Sequence, residues 1–147
     1  MWDAYFDSQI NFYGCLDNKV KKDLRVRLYK DDLRNNYKER WQSIFQGVKF
    51  DTRSIFLESL SDTRLLIVDH ISTTWLEALS LNIPFMIFVD GDNYDYTPEF
   101  MKILSVLKSV SIFHDSAENA AEMVNLIQSD IEGWWSNLEL QNAVEHA

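Results

Sequence analysis

The side chains best suited to chemistry lie close together between two apolar runs of the sequence. The first run, residues 65–68, is followed at once by Asp69 and His70, and Glu77 comes seven residues later. Three hydroxyl residues fill the space between them, namely Ser72, Thr73 and Thr74. Carboxylate, imidazole and hydroxyl groups can hydrogen-bond to polar ligands, and the first two can also exchange protons.

Two strands and a short helix would position these side chains. Residues 65–68 and 85–89 are apolar runs typical of buried strands, and residues 75–79 between them have the pattern of a short helix. A parallel strand–helix–strand unit places the helix N-terminus beside the carboxyl end of the first strand, where open α/β sheets bind anions. The segment from residue 65 to residue 89 is therefore the predicted centre of function.

The hydroxyl residues have two interpretations, which the sequence leaves open. Ser72, Thr73 and Thr74 would hold a phosphate at a helix N-terminus through hydroxyl and backbone N–H groups. The spacing of Thr74 and Glu77 also fits a capping box, in which the two side chains satisfy the first turn of the helix.

The acidic and histidine side chains are expected at the same edge of the sheet. Asp69 would point into the crevice, and Glu77, one turn into the helix, could accept hydrogen bonds from two ribose hydroxyls. His70 and His114 each follow an apolar strand, and strand-end loops are where sites gather. The alternatives are solvated or capping carboxylates and structural or exposed histidines. Neither histidine has a metal-ligand spacing.

Charged residues elsewhere suggest a diphosphate partner but no metal. Arg27 lies in a predicted strand and could neutralise a diphosphate, with ordinary surface charge as the alternative. Asp92 and Asp95 could bind a divalent cation, but they lack the spacing of a calcium loop. We therefore predict no metal site.

Strand and helix patterns alternate about five times along the chain. The strands are predicted at 24–29, 48–50, 65–68, 85–89 and 110–113, with helices between and around them. This order predicts an α/β fold: a Rossmann-like three-layer half-domain, a parallel sheet of about five strands flanked by helices, forming a single domain over residues 1–147. No G-x-G-x-x-G follows a strand, which argues against a dinucleotide dehydrogenase.

Local signals locate several helix ends. Thr97 followed by proline predicts an N-cap, as does Asp115 followed three residues later by Glu118. Gly133 is expected to interrupt the last long helix. The many aromatic residues predict a partner surface, with residues 134–135, both tryptophan, as the first candidate.

Composition excludes several classes of function. The 147 residues are 46% hydrophobic and carry a net charge of -9, so the chain is globular and neither nucleic acid nor an anionic membrane is the expected partner. A single cysteine, Cys15, allows no internal disulfide and fits a cytoplasmic location. No apolar run approaches the roughly 20 residues of a membrane span.

The segment 65–89 resembles the C-terminal, nucleotide-sugar-binding half of GT-B-type glycosyltransferases. The similarity lies in Asp69, in Glu77-Ala78-Leu79 and in the turn 82–84, which ends in proline. Two positions differ from the usual pattern: Asp69 stands in place of Glu, and Asn82 in place of Gly. The resemblance implies that the helix N-terminus holds the donor diphosphate and that Glu77 holds the ribose.

The whole chain resembles the C-terminal part of a bacterial transferase family of surface-carbohydrate biosynthesis. The matching motifs are VRLY, Arg40-Trp41, DHISTTWLEALSLNIP, the Pro-Glu-Phe helix start, SAENAA and Trp134-Trp135. Such proteins are several times longer, which implies that the acceptor half is missing here and that this half or a second copy is the partner.

The resemblance implies a donor-binding domain, inactive alone. A nucleotide-diphosphate sugar would be the donor substrate, with Asp69 and His70 facing its sugar. The alternatives are a non-catalytic nucleotide-binding or interaction domain, and half of a UDP-sugar epimerase-like enzyme.

Overall fold

A computed structural model describes residues 2–28, 36–70, 74–89 and 96–145, with side chains from Phe6 onward. The helices of this part are α1 (Trp2–Gly14), α2 (Asn18–Asp23), α3 (Tyr37–Ile44), α4 (Phe56–Ser61), α5 (Thr74–Ser80), α6 (Pro98–Ser109), α7 (Ala117–Ile127), α8 (Ile131–Trp135) and α9 (Leu138–Glu145). The strands are β1 (Leu66–Val68), β2 (Phe85–Phe88) and β3 (Phe113–His114). The chain divides into two units, one of Met1–Leu16 with Thr63–Ala147 and the other of Asp17–Asp62. The expectation of a single domain stays a prediction.

The first unit contains a small parallel sheet in the order β1-β2-β3. Leu66 pairs with Phe85 at the start of the β1–β2 ladder, and Ile87 pairs with Phe113 between β2 and β3. All four residues of β2 are buried, as expected of the central strand of a covered sheet. The predicted α/β class and parallel sheet are thereby confirmed.

Helices cover both faces of this sheet. The ring of Phe85 lies 5.9 Å from that of Trp75 in α5 and 5.4 Å from that of Trp135 in α8. Phe88, three residues on and thus pointing to the opposite face, stacks at 4.8 Å on Phe12 of α1. Since α1 also packs on α7, the sheet is flanked by α5 and α8 on one side and by α1 on the other.

The strand–helix–strand unit predicted at residues 65–89 is present. The geometry of its turn explains how Asn82 can stand where the related pattern has glycine. Asn82 has φ 51°, in the left-handed region that glycine adopts most readily and that asparagine tolerates. Its carbonyl and side-chain oxygens both accept from Nε1 of Trp135 at 3.2 Å. Asparagine can therefore adopt the left-handed conformation of the usual glycine, and it also hydrogen-bonds the turn to α8.

The second unit shows one parallel bridge rather than two strands among its described residues. Val26 pairs with Phe50, and the N–H groups of Val26 and Asp51 donate to carbonyls across the bridge at 2.9 Å. The strands predicted at 24–29 and 48–50 are thus represented by a single bridge. The sheet described in this chain has three strands, and a five-stranded Rossmann-like half-domain stays a prediction.

Two of the predicted helix starts have different outcomes. The hydroxyl of Thr97 accepts from the N–H group three residues on, which confirms that N-cap. The cap predicted at Asp115 was wrong: Ser116 caps α7, and Asp115 instead pairs with Lys108 at 2.7 Å. Both residue types are good caps, so the sequence alone did not separate two neighbours.

The region around β3 also differs from the prediction. Ser111 has φ 66°, which breaks the extended backbone expected at 110–113, and β3 begins only at Phe113.

The helix α7 ends at Ile127, and the carboxylate of Asp130 caps the next helix, α8, by accepting from the N–H group of Gly133 at 3.0 Å. Gly133 therefore lies inside α8 and does not interrupt a helix. The short helix α2 was not predicted.

The tryptophan pair is not the exposed surface that the sequence suggested. Trp135 is 5% exposed, and it packs edge-on against Phe85. Trp134 is partly buried and lies 5.8 Å from the ring of Trp135. Trp135 therefore belongs to the core, and a partner surface at residues 134–135 stays a prediction. In the part of the chain that the structure describes, no helix is both long enough and apolar enough to span a membrane.

Candidate functional site

Asp69 and His70 form a hydrogen-bonded pair just beyond the carboxyl end of β1. Nδ1 of His70 lies 2.7 Å from Oδ1 of Asp69. Their side chains are 19% and 23% exposed, so each is partly shielded yet reachable by a ligand. A carboxylate is the acceptor in such a pair, so Nδ1 carries the proton and Nε2 is the nitrogen that can exchange one.

The other oxygen of Asp69 is bound from α1. Nε2 of Gln9 donates to Oδ2 of Asp69. Sequence reasoning missed Gln9, because it lies sixty positions before its partner and a helical glutamine carries no local signal of such a contact. Both oxygens of Asp69 thus accept a hydrogen bond from another side chain.

Helix α5 begins shortly after this pair and carries two more of the predicted residues. Thr74 is its first residue, and Glu77 lies exposed in its first turn. Ser72 and Thr73 lie outside the described residues, so their assignment to a phosphate stays a prediction. A capping box would need Thr74 as the N-cap before the helix, whereas Thr74 is already its first residue, so the structure does not support this alternative for Thr74 and Glu77.

His114 lies in the neighbourhood of Asp69 through the sheet register. The β2–β3 ladder pairs Phe88 with His114. The β1–β2 ladder ends with Val68 beside Ile87, so Asp69, the next residue, follows at the level of Phe88 on its other side. Two strand spacings then separate Asp69 from His114 by about 10 Å. Asp69 contacts Gln9 of α1, the helix that Phe88 also contacts.

The proton of the His114 ring is on the other nitrogen from that of His70. Its Nε2 atom lies 2.8 Å from the carbonyl oxygen of Ser111, and a carbonyl only accepts, so Nε2 carries the proton. Burial, together with the charge of Lys108, lowers the pKa of His114, and these effects outweigh the Ser111 contact and the charge of Asp115, which raise it. The imidazole is therefore neutral at pH 7.

Arg27 belongs to the second unit, where its guanidinium already has several partners. It donates to Asp51 at 3.1 Å, to the carbonyl of Arg53 at 2.7 Å and to the hydroxyl of Ser59 at 3.3 Å. It also lies over the ring of Phe56. These contacts give Arg27 a structural role in holding residues 51–59 together, and its predicted contact with a diphosphate stays a prediction.

Asp51 is the acceptor at the centre of that cluster. Burial raises its pKa, but hydrogen bonds from Ser59, Arg53 and Arg27 outweigh burial and lower the pKa to about 2. Asp51 is therefore ionised throughout the physiological range. Its position explains why a basic side chain that looked available in the sequence is committed to an internal ion pair.

Among residues 2–28, 36–70, 74–89 and 96–145, no group of three or more His, Cys, Asp or Glu side chains is arranged to hold a metal ion. Asp92 and Asp95, weighed as a cation site, lie outside these ranges.

Comparison with known proteins identifies a family. No curated protein and no solved structure matches the chain. A family model described as LIC12162 family transferase matches residues 2–146, nearly the whole sequence. The chain therefore belongs to the LIC12162 family of transferases.

Proposed function

We propose that this transferase is a sugar transferase whose first unit binds a nucleotide-diphosphate sugar at the carboxyl end of its parallel sheet. One observation carries the proposal: in a chain of a transferase family, the Asp69–His70 pair stands directly at the end of β1. The carboxyl end of parallel strands is the usual ligand edge of an open α/β sheet.

Residues of α5 and the hydroxyl residues that precede it in the sequence would bind the nucleotide. Glu77 is exposed in the first turn of the helix, and its carboxylate would accept hydrogen bonds from two ribose hydroxyls. Ser72, Thr73 and Thr74 would contact the diphosphate through hydroxyl and backbone N–H groups. His114 would complete this edge of the sheet as a neutral imidazole.

The reaction would be displacement at the anomeric carbon. An acceptor hydroxyl forms a new bond to that carbon and gives its proton to a base, while the bond to the phosphate oxygen breaks and the nucleoside diphosphate leaves with the electron pair. His70, oriented by Asp69, would hydrogen-bond to the donor sugar beside the reacting carbon. Fixed dipoles and donors would stabilise the charge that develops on the leaving group.

Surface-carbohydrate biosynthesis in a bacterial cytoplasm would be the setting of this activity. The acceptor site would be supplied by a further segment or a second copy of the chain. Donor binding, rather than turnover, is therefore the property to measure first.

Thermal unfolding with a panel of ligands tests the proposal. The panel should contain UDP-, GDP-, dTDP- and CMP-sugars, the free nucleoside diphosphates, the monophosphates and inorganic phosphate. At a hundred times its dissociation constant, one bound donor stabilises the protein by about 2.7 kcal/mol, which is about 5–10 °C for a chain of this size.

Each pattern of results has a distinct meaning. A shift with one nucleotide sugar, larger than the shift with its free diphosphate, supports a donor site that also contacts the sugar. An equal shift with the two supports a nucleotide-binding domain without sugar recognition. If no nucleotide shifts the melting temperature, the proposal fails. Product analysis with a bound UDP-sugar, in the presence of the segment or second copy that supplies the acceptor site, would separate transfer from epimerisation.

A further inference from the structure

The carboxylate of Asp69 accepts hydrogen bonds from two residues that are far from each other in the sequence. Oδ1 accepts from Nδ1 of His70, the next residue, and Oδ2 accepts from Nε2 of Gln9 in α1. A carboxylate rotates about the bond that joins it to the side chain, so one hydrogen bond leaves its plane adjustable. Two donors on different oxygens fix that plane.

The nature of the Gln9 contact follows from the donors available. An ionised carboxylate can only accept, so the amide nitrogen of Gln9, and not its oxygen, must face Asp69. The same argument requires the proton on Nδ1 of His70. Gln9 and His70 are therefore two donors that converge on the carboxylate of Asp69, and the bond to Oδ1 selects the Nδ1–H tautomer of the imidazole.

Helix α1 packs on the sheet and on α7, and these contacts fix the position of Gln9 relative to Asp69. Phe12, one turn after Gln9, stacks on Phe88 of the central strand with an angle of 17° between the rings. Directly after the helix, the amide of Asn125 in α7 donates to the carbonyl of Cys15 at 2.9 Å. The side chain of Gln9 is thus presented to Asp69 by a helix that is fixed to both the sheet and α7.

We propose that Gln9 is a positioning residue of the site: it acts through Asp69 to hold His70 as the Nδ1–H tautomer, with Nε2 as the nitrogen that exchanges protons with substrate hydroxyls. What Nε2 does rests on the proposed function. The tautomer and its dependence on Gln9 do not, because both are properties of the ligand-free protein.

Nitrogen NMR of the full chain labelled with ¹⁵N-histidine tests this directly. The spectra are recorded at about pH 8, above the ordinary histidine pKa of about 6.5, and the signals are assigned with His70→Asn and His114→Asn. We expect His70 as the Nδ1–H form and His114 as the Nε2–H form. His114 is therefore an internal reference for the opposite tautomer. Its unchanged signal in a variant reports that the variant has kept its fold.

Two substitutions of Gln9 separate positioning from packing. Gln9→Met keeps the size of the side chain and removes the donor, so the His70 signals should move toward a mixture of tautomers while those of His114 stay. Gln9→Lys restores a donor and should restore the Nδ1–H form. Met and Lys variants with identical His70 signals would show that packing alone matters and would overturn the proposal.

The wild-type spectrum decides the matter even if a variant fails to fold. An Nε2–H form of His70 in the unmodified protein would overturn the role of Gln9 outright. The expected tautomer without any nucleotide-dependent thermal shift would leave the positioning role intact and remove the proposed function. The two claims can thus fail separately.

Discussion

Asp69 and His70 are consecutive residues whose side chains are joined by a hydrogen bond of 2.7 Å. Consecutive residues of a strand point to opposite faces of the sheet, so this contact requires the backbone to leave the extended conformation. The strand β1 ends at Val68, and the backbone bends at residues 69 and 70. The end of a three-residue strand thus creates the geometry in which a carboxylate can orient the imidazole beside it.

Removal of the Asp69 carboxylate should destabilise the protein. Asp69→Ala would leave the donors of Gln9 and His70 without their common acceptor in a partly buried place, and we expect a loss of about 1–3 kcal/mol in the free energy of unfolding. Urea denaturation measures this. Asp7→Ala, at an exposed position of α1, is the control and should change stability by less than about 0.5 kcal/mol. Equal effects would contradict the structural role of the pair.

Loss of the Glu77 charge should weaken nucleotide binding. Glu77→Gln replaces two charge-assisted hydrogen bonds to ribose by weaker ones, and we expect affinity for the nucleotide that binds wild-type protein to fall about tenfold to a hundredfold. Calorimetric titration with ribonucleotides and deoxyribonucleotides measures the effect, which should shrink for the latter.

Glu99→Gln is the matched control for that experiment. Glu99 also lies exposed in the first turn of a helix, α6, so both substitutions remove the same favourable interaction with the helix dipole. Only Glu77→Gln should reduce affinity. A similar reduction in both variants would indicate a general electrostatic effect and not a ribose contact.

The elements around β1 and β2 could be predicted from the sequence because their signals are local. Apolar runs identified both strands, and a hydroxyl residue before Pro98 identified the start of α6. Where two adjacent residues offered the same signal, as Asp115 and Ser116 did, tertiary contacts decided: Lys108 took the carboxylate and left the cap to Ser116.

The supporting contacts of the site could not be predicted in the same way. Gln9 reaches Asp69 only because α1 packs on the sheet, and no sequence spacing encodes that distance. Arg27 likewise looked like an available cation until Asp51 was seen to bind it. Residue types indicated the candidate chemistry, whereas the partners that orient or neutralise them depend on packing between elements distant in sequence.

The left-handed turn at Asn82 predicts an unusual order of stability. Alanine at φ 51° is strained by roughly 1–2 kcal/mol, whereas glycine is not. Asn82→Gly should therefore be more stable than Asn82→Ala by about 1 kcal/mol, measured by denaturant unfolding. At Ser80, the last residue of α5, the order should reverse, because alanine favours helix over glycine. The same order at both positions would contradict the turn geometry.

Acid should remove the stabilisation that Asp51 provides. Its pKa is about 2 in the folded protein, compared with an ordinary value of 3.8. The folded-state value is the lower one, so the contribution is complete above about pH 4 and is lost as the pH falls toward 2. Allowing for solvent screening, we expect Asp51→Asn to cost about 1–2 kcal/mol at pH 7 and progressively less below pH 4.

The partner of Arg53 in the same cluster provides a control. Asp62 lies 2.7 Å from Arg53 but is 72% exposed, so Asp62→Asn should cost less than about 0.5 kcal/mol at any pH. Urea midpoints between pH 7 and pH 3 measure both variants. A pH-independent cost for Asp51→Asn would show that the loss is one of packing and not of charge.

His114 should make stability depend on pH in a second, milder range. Burial lowers the pKa of its imidazole below the ordinary value of 6.5, so the unfolded chain takes up the proton first as the pH falls. Stability is therefore complete above about pH 6.5 and decreases below it. Comparison of wild-type protein with His114→Gln isolates this effect, because other titrating groups are common to both. The glutamine variant should lose less stability than wild-type protein between pH 7 and pH 5, and a constant difference would show that His114 takes up its proton equally well in the folded protein.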